Sequence, residues 1–203
     1  MQILTIVYLV LVMSTYSNVV AGTIDTSSQA PYEQCGYCHE YDGNSKIPNY
    51  PRLAGQQRLY LVKQLNDFKS GKRKGSMQAT AELLSDADVK IVADYFSQQK
   101  LKMDPAITTP GFKLAKKLYF EGDEGRGLNS CAGCHGPKGM GGGVIPRIVG
   151  QHKDYLRTQL LAFKARDRKN DEAGFMRDVV EKLTASEIEV LASYLASTKV
   201  LDK

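Results

Sequence analysis

The sequence predicts an all-α chain of two tandem domains built to one plan, and three observations carry that prediction. Apolar residues recur at helical spacing in several separate segments. The second half repeats the first at an offset of 95 residues. Each half also carries one Cys-x-x-Cys-His pentapeptide, Cys35-Gly36-Tyr37-Cys38-His39 and Cys131-Ala132-Gly133-Cys134-His135, which together use all four cysteines and two of the three histidines.

Each pentapeptide reads as a c-type haem attachment site. Two thiols at i and i+3 can form thioethers with the haem vinyl groups, and the next residue offers an imidazole to the iron. Cys35, Cys38, Cys131 and Cys134 are therefore the attachment residues, and His39 and His135 the proximal ligands, of two covalently bound haem c groups. A four-thiolate zinc site or a redox dithiol would also use Cys-x-x-Cys. Neither needs a His after both pairs, and the 92 residues separating Cys38 from Cys131 are far more than a zinc knuckle uses.

Taken in order, Met1 to about Ala21 has no charged side chain, an apolar run from Ile3 to Met13 and small residues at Val19-Val20-Ala21. It reads as a secretory signal peptide, too short in its apolar run for a membrane span, although no Lys or Arg precedes that run. Domain limits follow: signal 1–21, first domain 22–103, linker 104–110, second domain 111–203. Export suits the cysteine usage, because covalent haem attachment in bacteria takes place outside the cytoplasm, so the periplasm is the expected compartment.

The first pentapeptide has little room for a long helix before it, and two prolines, Pro48 and Pro51, make the stretch after it a loop. Leu59, Tyr60, Val62, Leu65 and Phe68 mark one helix over 56–68. Ser85-Asp86-Ala87-Asp88 starts another, with Val89, Val92, Ala93 and Phe96 on its apolar face. Pro105 and Pro110 bracket the linker, and Phe112, Ala115 and Tyr119 mark the helix after it. After the second pentapeptide, Gly136 to Gly143 carries five glycines.

The repeat then declares itself residue by residue. Pro146-Arg147-Ile148-Val149-Gly150-Gln151 mirrors Pro51-Arg52-Leu53-Ala54-Gly55-Gln56, and Tyr155, Gln159 and Phe163 mirror Tyr60, Gln64 and Phe68. Beyond a four-residue insertion the offset becomes 99 and pairs Met77 with Met176, Ser85 with Thr184 and Tyr95 with Tyr194. Thr184-Ala185-Ser186-Glu187 is a full capping-box pattern.

An iron used only for electron transfer needs a second axial ligand, and a thioether there favours the ferrous state. Met77 and Met176 are the candidates, in loops between two helices at equivalent places in the repeat, whereas Met103 and Met140 have no repeat partner. The first half has no histidine besides His39, and His152 replaces Gln57 of the first half and reads as a hydrogen-bonding residue. Backbone carbonyls at the matched prolines 51 and 146 are available to orient the proximal imidazoles.

The formal charge of +5 is spread as 11 cationic against 10 anionic residues over 22–104 and 16 against 12 over 105–203. Two haems would bring four propionates, so the loaded protein is close to neutral, and nothing in the pattern suggests nucleic acid. The clusters Lys69, Lys72, Arg73, Lys74 and Lys164, Arg166, Arg168, Lys169 occupy matched positions and could steer docking onto acidic partners.

On Gly43-Asn44-Ser45, Pro51 to Gln56, Tyr60-Leu61 to Gln64-Leu65, Asp94-Tyr95-Phe96-Ser97 and Asn170-Asp171 to Met176-Arg177, besides the pentapeptides, the chain resembles the cytochrome c4 family. That resemblance implies two class I cytochrome c domains, mostly helical, each wrapped around one His/Met haem, in an electron carrier of the bacterial periplasm. It implies transfer toward terminal oxidases of the respiratory chain, with a quinol-oxidising complex as the kind of donor, and a protein that is soluble or loosely associated with the membrane surface. Two features depart from the family pattern: the helix before the first pentapeptide is shortened, and Glu40 stands where the family commonly has Gly. Alternatives are a di-haem subunit of an enzyme complex, such as a flavocytochrome sulfide dehydrogenase, and a di-haem peroxidase. The peroxidase needs an open iron, whereas both sites here have a methionine candidate, so the chain reads as an electron-transfer protein with no catalytic residue.

Overall fold

A computed structural model describes residues 30–105 and 110–197. The expected signal segment and linker residues 106–109 lie outside the described residues. Nine α-helices and two short 3-10 turns make up the regular structure there, and the only strand-like pairings are the isolated bridges Asp123 to Leu128 and Gly142 to Ile145.

In the first half, α1 (Glu33–His39) presents the first pentapeptide, and α2 (Arg58–Lys69) packs against α3 (Gln78–Glu82) and α4 (Asp86–Gln98). Leu61, Leu65 and Phe68 recur at helical spacing on the buried side of α2, which is why that stretch folds as the sequence predicts. Ser85 caps α4, its hydroxyl accepting from the Asp88 N–H while the Asp88 carboxylate accepts from the Ser85 N–H. The second half repeats this with α7 (Lys153–Lys164), α8 (Phe175–Glu181) and α9 (Ala185–Ala196), where Thr184 and Glu187 form the same reciprocal cap. It adds α5 (Phe112–Phe120), which packs on α9 and on α6 (Cys131–His135), the bearer of the second pentapeptide.

Among the described residues the first half has no counterpart of α5. Tyr32 takes over part of that duty, its ring stacked on Tyr95 at 3.7 Å, where the second half sets Phe112 edge-on to Tyr194 at 4.7 Å. The consequence is a smaller core: among the described residues the cluster of buried apolar side chains has nine members in the first half against fourteen in the second. In both halves the loop after the pentapeptide closes on one carbonyl. Gly43 O accepts from the N–H groups of Leu53 and Ala54, and Gly139 O from those of Ile148 and Val149.

The two halves meet through reciprocal contacts that follow the repeat. The Gln56 amide accepts from the Arg147 N–H at 2.7 Å and donates to the Arg147 carbonyl at 3.0 Å. Gln151 does the same to Arg52, at 2.7 and 3.0 Å. Each side chain thus pairs both backbone groups of a buried residue in the opposite half, which satisfies a polar requirement no water can reach. Residues 100–104, where the first domain passes into the linker, run as a strap beside this seam. Asn44 donates to Lys100 O and accepts from Lys102 N, and Arg52 holds Lys102 O and both oxygens of Asp104.

Glu40 departs from glycine at a cost the backbone shows. It ends α1 at φ 63°, ψ 150°, and its counterpart Gly136 ends α6 at φ 76°, ψ 160°, a region only glycine occupies without strain. The side chain gains only a 3.9 Å contact with the exposed Lys46. Glu40→Gly should therefore stabilise the protein by about 1 kcal/mol, read as a raised denaturation midpoint. Gln56→Ala leaves a buried N–H and carbonyl of Arg147 unpaired, and a loss of about 2 kcal/mol in the same measurement is expected.

Candidate functional site

The α-helical turn sets the attachment geometry in each half. Residues i and i+3 are neighbours on a helix surface, which brings Cys35 near Cys38 on α1, and Cys131 near Cys134 on α6, with the histidine one step further on. Cys35 is buried and Cys131 half-buried, while Cys38 and Cys134 are exposed; none is in a disulfide. Burial pushes the Cys35 and Cys131 thiols up to about 11. A reactive dithiol needs the opposite shift.

Both proximal imidazoles are buried and oriented. His39 Nδ1 donates to Pro51 O at 2.8 Å and His135 Nδ1 to Pro146 O at 2.9 Å. That bond fixes the tautomer and leaves Nε2 with its lone pair free. Desolvation pushes both pKa values down, opposed by the carbonyl bond, so each ring is held neutral, the form that binds a metal. The matched prolines thus do what the sequence allowed them to do.

Met77 is the N-cap residue of α3 and Met176 lies in the first turn of α8, so short helices occupy what the sequence suggested were loops. Good helix formers, Gln78, Ala79 and Ala81 in α3 and Met176, Arg177 and Glu181 in α8, account for the difference. Both methionines line a cleft of about 1220 Å³ together with Cys35, His39, Cys131, Cys134 and His135; Cys38 is exposed and does not line it. The volume exceeds what a single drug-sized ligand occupies. Matched apolar walls, Leu61 with Leu156, Phe68 with Phe163 and Phe96 with Leu195, repeat along it. Met103 and Met140 do not line it: Met103 packs on Gly150, and Met140 is exposed.

The cleft also carries cations that need anions. Arg147 is 1% exposed, and its hydrogen-bond acceptors are the carbonyls of Val149 and Arg52. Burial, with the nearby Arg52 charge, pushes its pKa down to about 10. Nε of Arg52 and Nε of Arg147 are buried without a partner among the described residues. Further along, Arg73 donates to Gln64, Tyr155 and Gln159, and Arg168 to Gln159, Tyr60 and Gln64, a second reciprocal network across the seam. Arg73 lies 4.6 Å over Phe68 and Arg168 4.4 Å over Phe163. Two haems carry four carboxylates, and a cleft with apolar walls, two neutral imidazoles and unneutralised guanidinium groups suits them.

This narrows the reading of the basic clusters as docking surfaces to their exposed members. Arg73 is buried and Arg168 half-buried in the seam, and Lys69 and Lys164 are spent on helix ends, donating to Leu84 O and to Leu183 O. Lys72, Lys74, Arg166 and Lys169 remain exposed. The structural roles of Arg52, Gln56, Arg147 and Gln151 were not assigned from sequence. The available signal was a Pro-Arg and a Gly-Gln kept identical across the repeat while the residues between them changed.

The family model for cytochrome c matches residues 112–199. The chain is 39% identical over 185 residues to cytochrome c4 of Stutzerimonas stutzeri, covering 83% of this chain and 86% of that protein. It is 35% identical over 168 residues to a thiosulfate dehydrogenase electron acceptor of Thiomonas intermedia strain K12, covering 80% and 77%. The crystal structure of reduced recombinant cytochrome c4 from Pseudomonas stutzeri superposes with a TM-score of 0.76 at 38% identity, over 83% of this chain and 96% of that one.

His152 makes one of two matched clasps at the seam. Its Nε2 donates to Ser45 O at 2.8 Å, where Gln57 in the first half donates to Met140 O at 2.8 Å. Burial lowers the His152 pKa, Arg52 adds to the shift, and Asp104 and Asp154 oppose it. A group depressed in the folded state contributes fully above its unfolded pKa of about 6.5 and loses that contribution as pH falls below it. His152→Gln should therefore flatten the acid side of the stability profile. Thermal unfolding of the loaded protein between pH 7 and 5 checks this; equal slopes in the two proteins would contradict it.

Proposed function

Since the chain belongs to the cytochrome c4 family, whose members are di-haem c-type electron carriers, we propose that it carries electrons in the periplasm between redox proteins, with each iron held by one histidine and one methionine. Cys35, Cys38 and His39 with Met77 form the first site, and Cys131, Cys134 and His135 with Met176 the second. Domain limits of 22–103 and 111–203, with 104–110 as linker and 1–21 as a secretory signal peptide, complete the reading.

The observation that carries it is the equivalence of the two sites: each neutral proximal imidazole is clamped by a proline carbonyl, and each half brings one methionine to the same cleft. Bound there, each haem supplies a one-electron iron couple. The residues around it do the rest. Pro51 and Pro146 fix the imidazoles so that neither ring reorients when the charge changes, which keeps the reorganisation small. Leu61, Phe68, Leu156 and Phe163 line the cleft with the two methionines, and a methionine sulfur on the iron would raise the potential by favouring the reduced state. A methionine at both sites also leaves neither iron open to peroxide, which favours a carrier over a peroxidase.

For partners, a quinol-oxidising complex as donor and a terminal oxidase as acceptor suit the family's position in respiration. The likeness to a thiosulfate dehydrogenase electron acceptor supports a sulfur-compound dehydrogenase as another class of donor. Reduction of the purified carrier by each donor class, followed by stopped-flow, distinguishes them.

Loaded protein should contain two haems per chain and show the weak sulfur-to-iron band at the red end of the oxidised spectrum. Met77→Leu and Met176→Leu should each remove about half of that band, in keeping with one thioether per iron. A variant that keeps the full band would show that its methionine is not a ligand. High-spin iron in the unmodified protein would turn the reading toward an enzyme.

A further inference from the structure

Arg73-Lys74 pairs with Arg168-Lys169 at an offset of 95, and Gly75-Ser76-Met77 with Gly174-Phe175-Met176 at 99. The residues that change the offset are therefore Asn170, Asp171, Glu172 and Ala173, inserted just ahead of the second methionine. An insertion that merely lengthened a surface loop would leave its polar side chains to water. Asn170 and Asp171 are instead buried, at 2% exposure for the first and 4% for the side chain of the second.

Asn170 is plugged into the opposite half. Its amide donates to Gln64 Oε1 at 3.0 Å and to Asp67 Oδ2 at 2.7 Å, both on α2, and its side-chain oxygen accepts from Arg168 Nε at 2.9 Å. Its carbonyl accepts from the Lys63 ammonium at 2.6 Å, and that ammonium also binds Asp67. A buried side chain with its donors and acceptors all paired holds one position. Asp171 carries that position on to the methionine. Its carboxylate accepts from the Arg177 N–H at 3.0 Å and from Arg177 Nε at 2.8 Å. The N–H belongs to the first turn of α8, where a helix has no internal acceptor, and Met176 lies in the same turn. Between the two anchors Ala173 sits at φ 46°, ψ 14°, a conformation that costs an alanine energy and persists where the surroundings fix it.

We infer that Lys63 and Asn170 are positioning residues for the second iron site. The ammonium on α2 of the first half holds the inserted segment, and the segment holds the turn that carries Met176 against leaving its iron. Neither residue touches the sulfur, so both act through the chain between Asn170 and Arg177. One half thereby keeps the other half's site closed to foreign ligands, which gives the seam a part in the chemistry as well as in stability. The inference rests on the reading of Met176 as an iron ligand.

The test is the rate at which cyanide displaces each methionine from oxidised, haem-loaded protein, followed as loss of the sulfur-to-iron band. A Met77→Leu background leaves only the band of Met176, and a Met176→Leu background only that of Met77. Lys63→Met keeps most of the side chain and removes the ammonium. The Met176 band should then bleach about tenfold faster, the effect of losing a hydrogen bond from a charged group. The Met77 band, in the half that contains the substitution, should keep its rate within about twofold. Asn170→Ala removes the other side of the same contact and should give the same pattern; it carries the test if Lys63→Met does not load two haems. His152→Ala is the control, because it breaks a different contact of the seam, Nε2 to Ser45 O. It should lower the unfolding temperature and leave both rates unchanged. An unaltered Met176 rate, equal acceleration at both sites, or the same acceleration in His152→Ala would overturn the inference. A Met77→Leu protein with no band before cyanide is added would instead overturn the ligand reading.

Discussion

Burying arginine in a protein interior is costly, and the seam between the two halves buries three, Arg52, Arg73 and Arg147, with Arg168 half-buried beside them. A buried cation is tolerated only when it is paired and fully hydrogen-bonded. Here the available carboxylate partner is Asp104, on Arg52, while the others lean on carbonyls, amides, tyrosine hydroxyls and two aromatic faces. That balance makes sense for a cleft that receives two dianionic prosthetic groups. The seam, the cleft and the cofactors then stabilise one another, and the halves are not independent beads on a string. The strap of residues 100–104, tied to Asn44 and Arg52, belongs to the same arrangement.

Because the halves share one design, each contact has a reference built into the same molecule. Gln56 and Gln151 answer each other, as do Tyr60 and Tyr155, Gln64 and Gln159, and the carbonyls of Gly43 and Gly139. Departures from the shared design are then easy to read as physical differences. Glu40 accepts a backbone conformation that Gly136 adopts freely. His152 puts a titratable ring where Gln57 puts an amide. Asp104 gives Arg52 a carboxylate partner, whereas the acceptors of Arg147 among the described residues are carbonyls. None of these alters the ligand set, and all act at the edges of the sites or along the seam, where variation tunes a carrier without dismantling it.

Much of this was legible in the chain. Local signals decided the helices: the apolar faces of α2 and α4, and the reciprocal caps at Ser85 and Thr184, are where hydrophobic spacing and capping residues place them. The pentapeptides were equally plain, because a covalent cofactor imposes fixed spacing on its attachment residues, and the repeat singled out Met77 and Met176, which the structure brings to the same cleft. What sequence alone missed was non-local. Arg73 and Arg168 look like solvated loop charges, and only the approach of the opposite half, more than 80 residues away, turns them inward. Lys69 and Lys164 look like docking cations until the carbonyls of Leu84 and Leu183 close on them. A basic residue in a loop carries the same local signature in either role, so charge pattern could not separate the two.

The unequal cores of the halves give the seam a further meaning. Among the described residues the first half's core cluster has nine members, and it relies on a tyrosine stack where the second half has a whole helix, α5, laid against α9. Small domains bury a smaller share of their surface and are stabilised less by packing alone. Contacts from the second half therefore matter more to the first than the reverse. The Lys63 ammonium, which binds Asp67 of its own helix and Asn170 O of the other half, ties α2 directly to the loop before Met176. Stability and site geometry are thus shared along one line of side chains, so a change on the first half's side of the seam reaches the neighbourhood of the second methionine through α2.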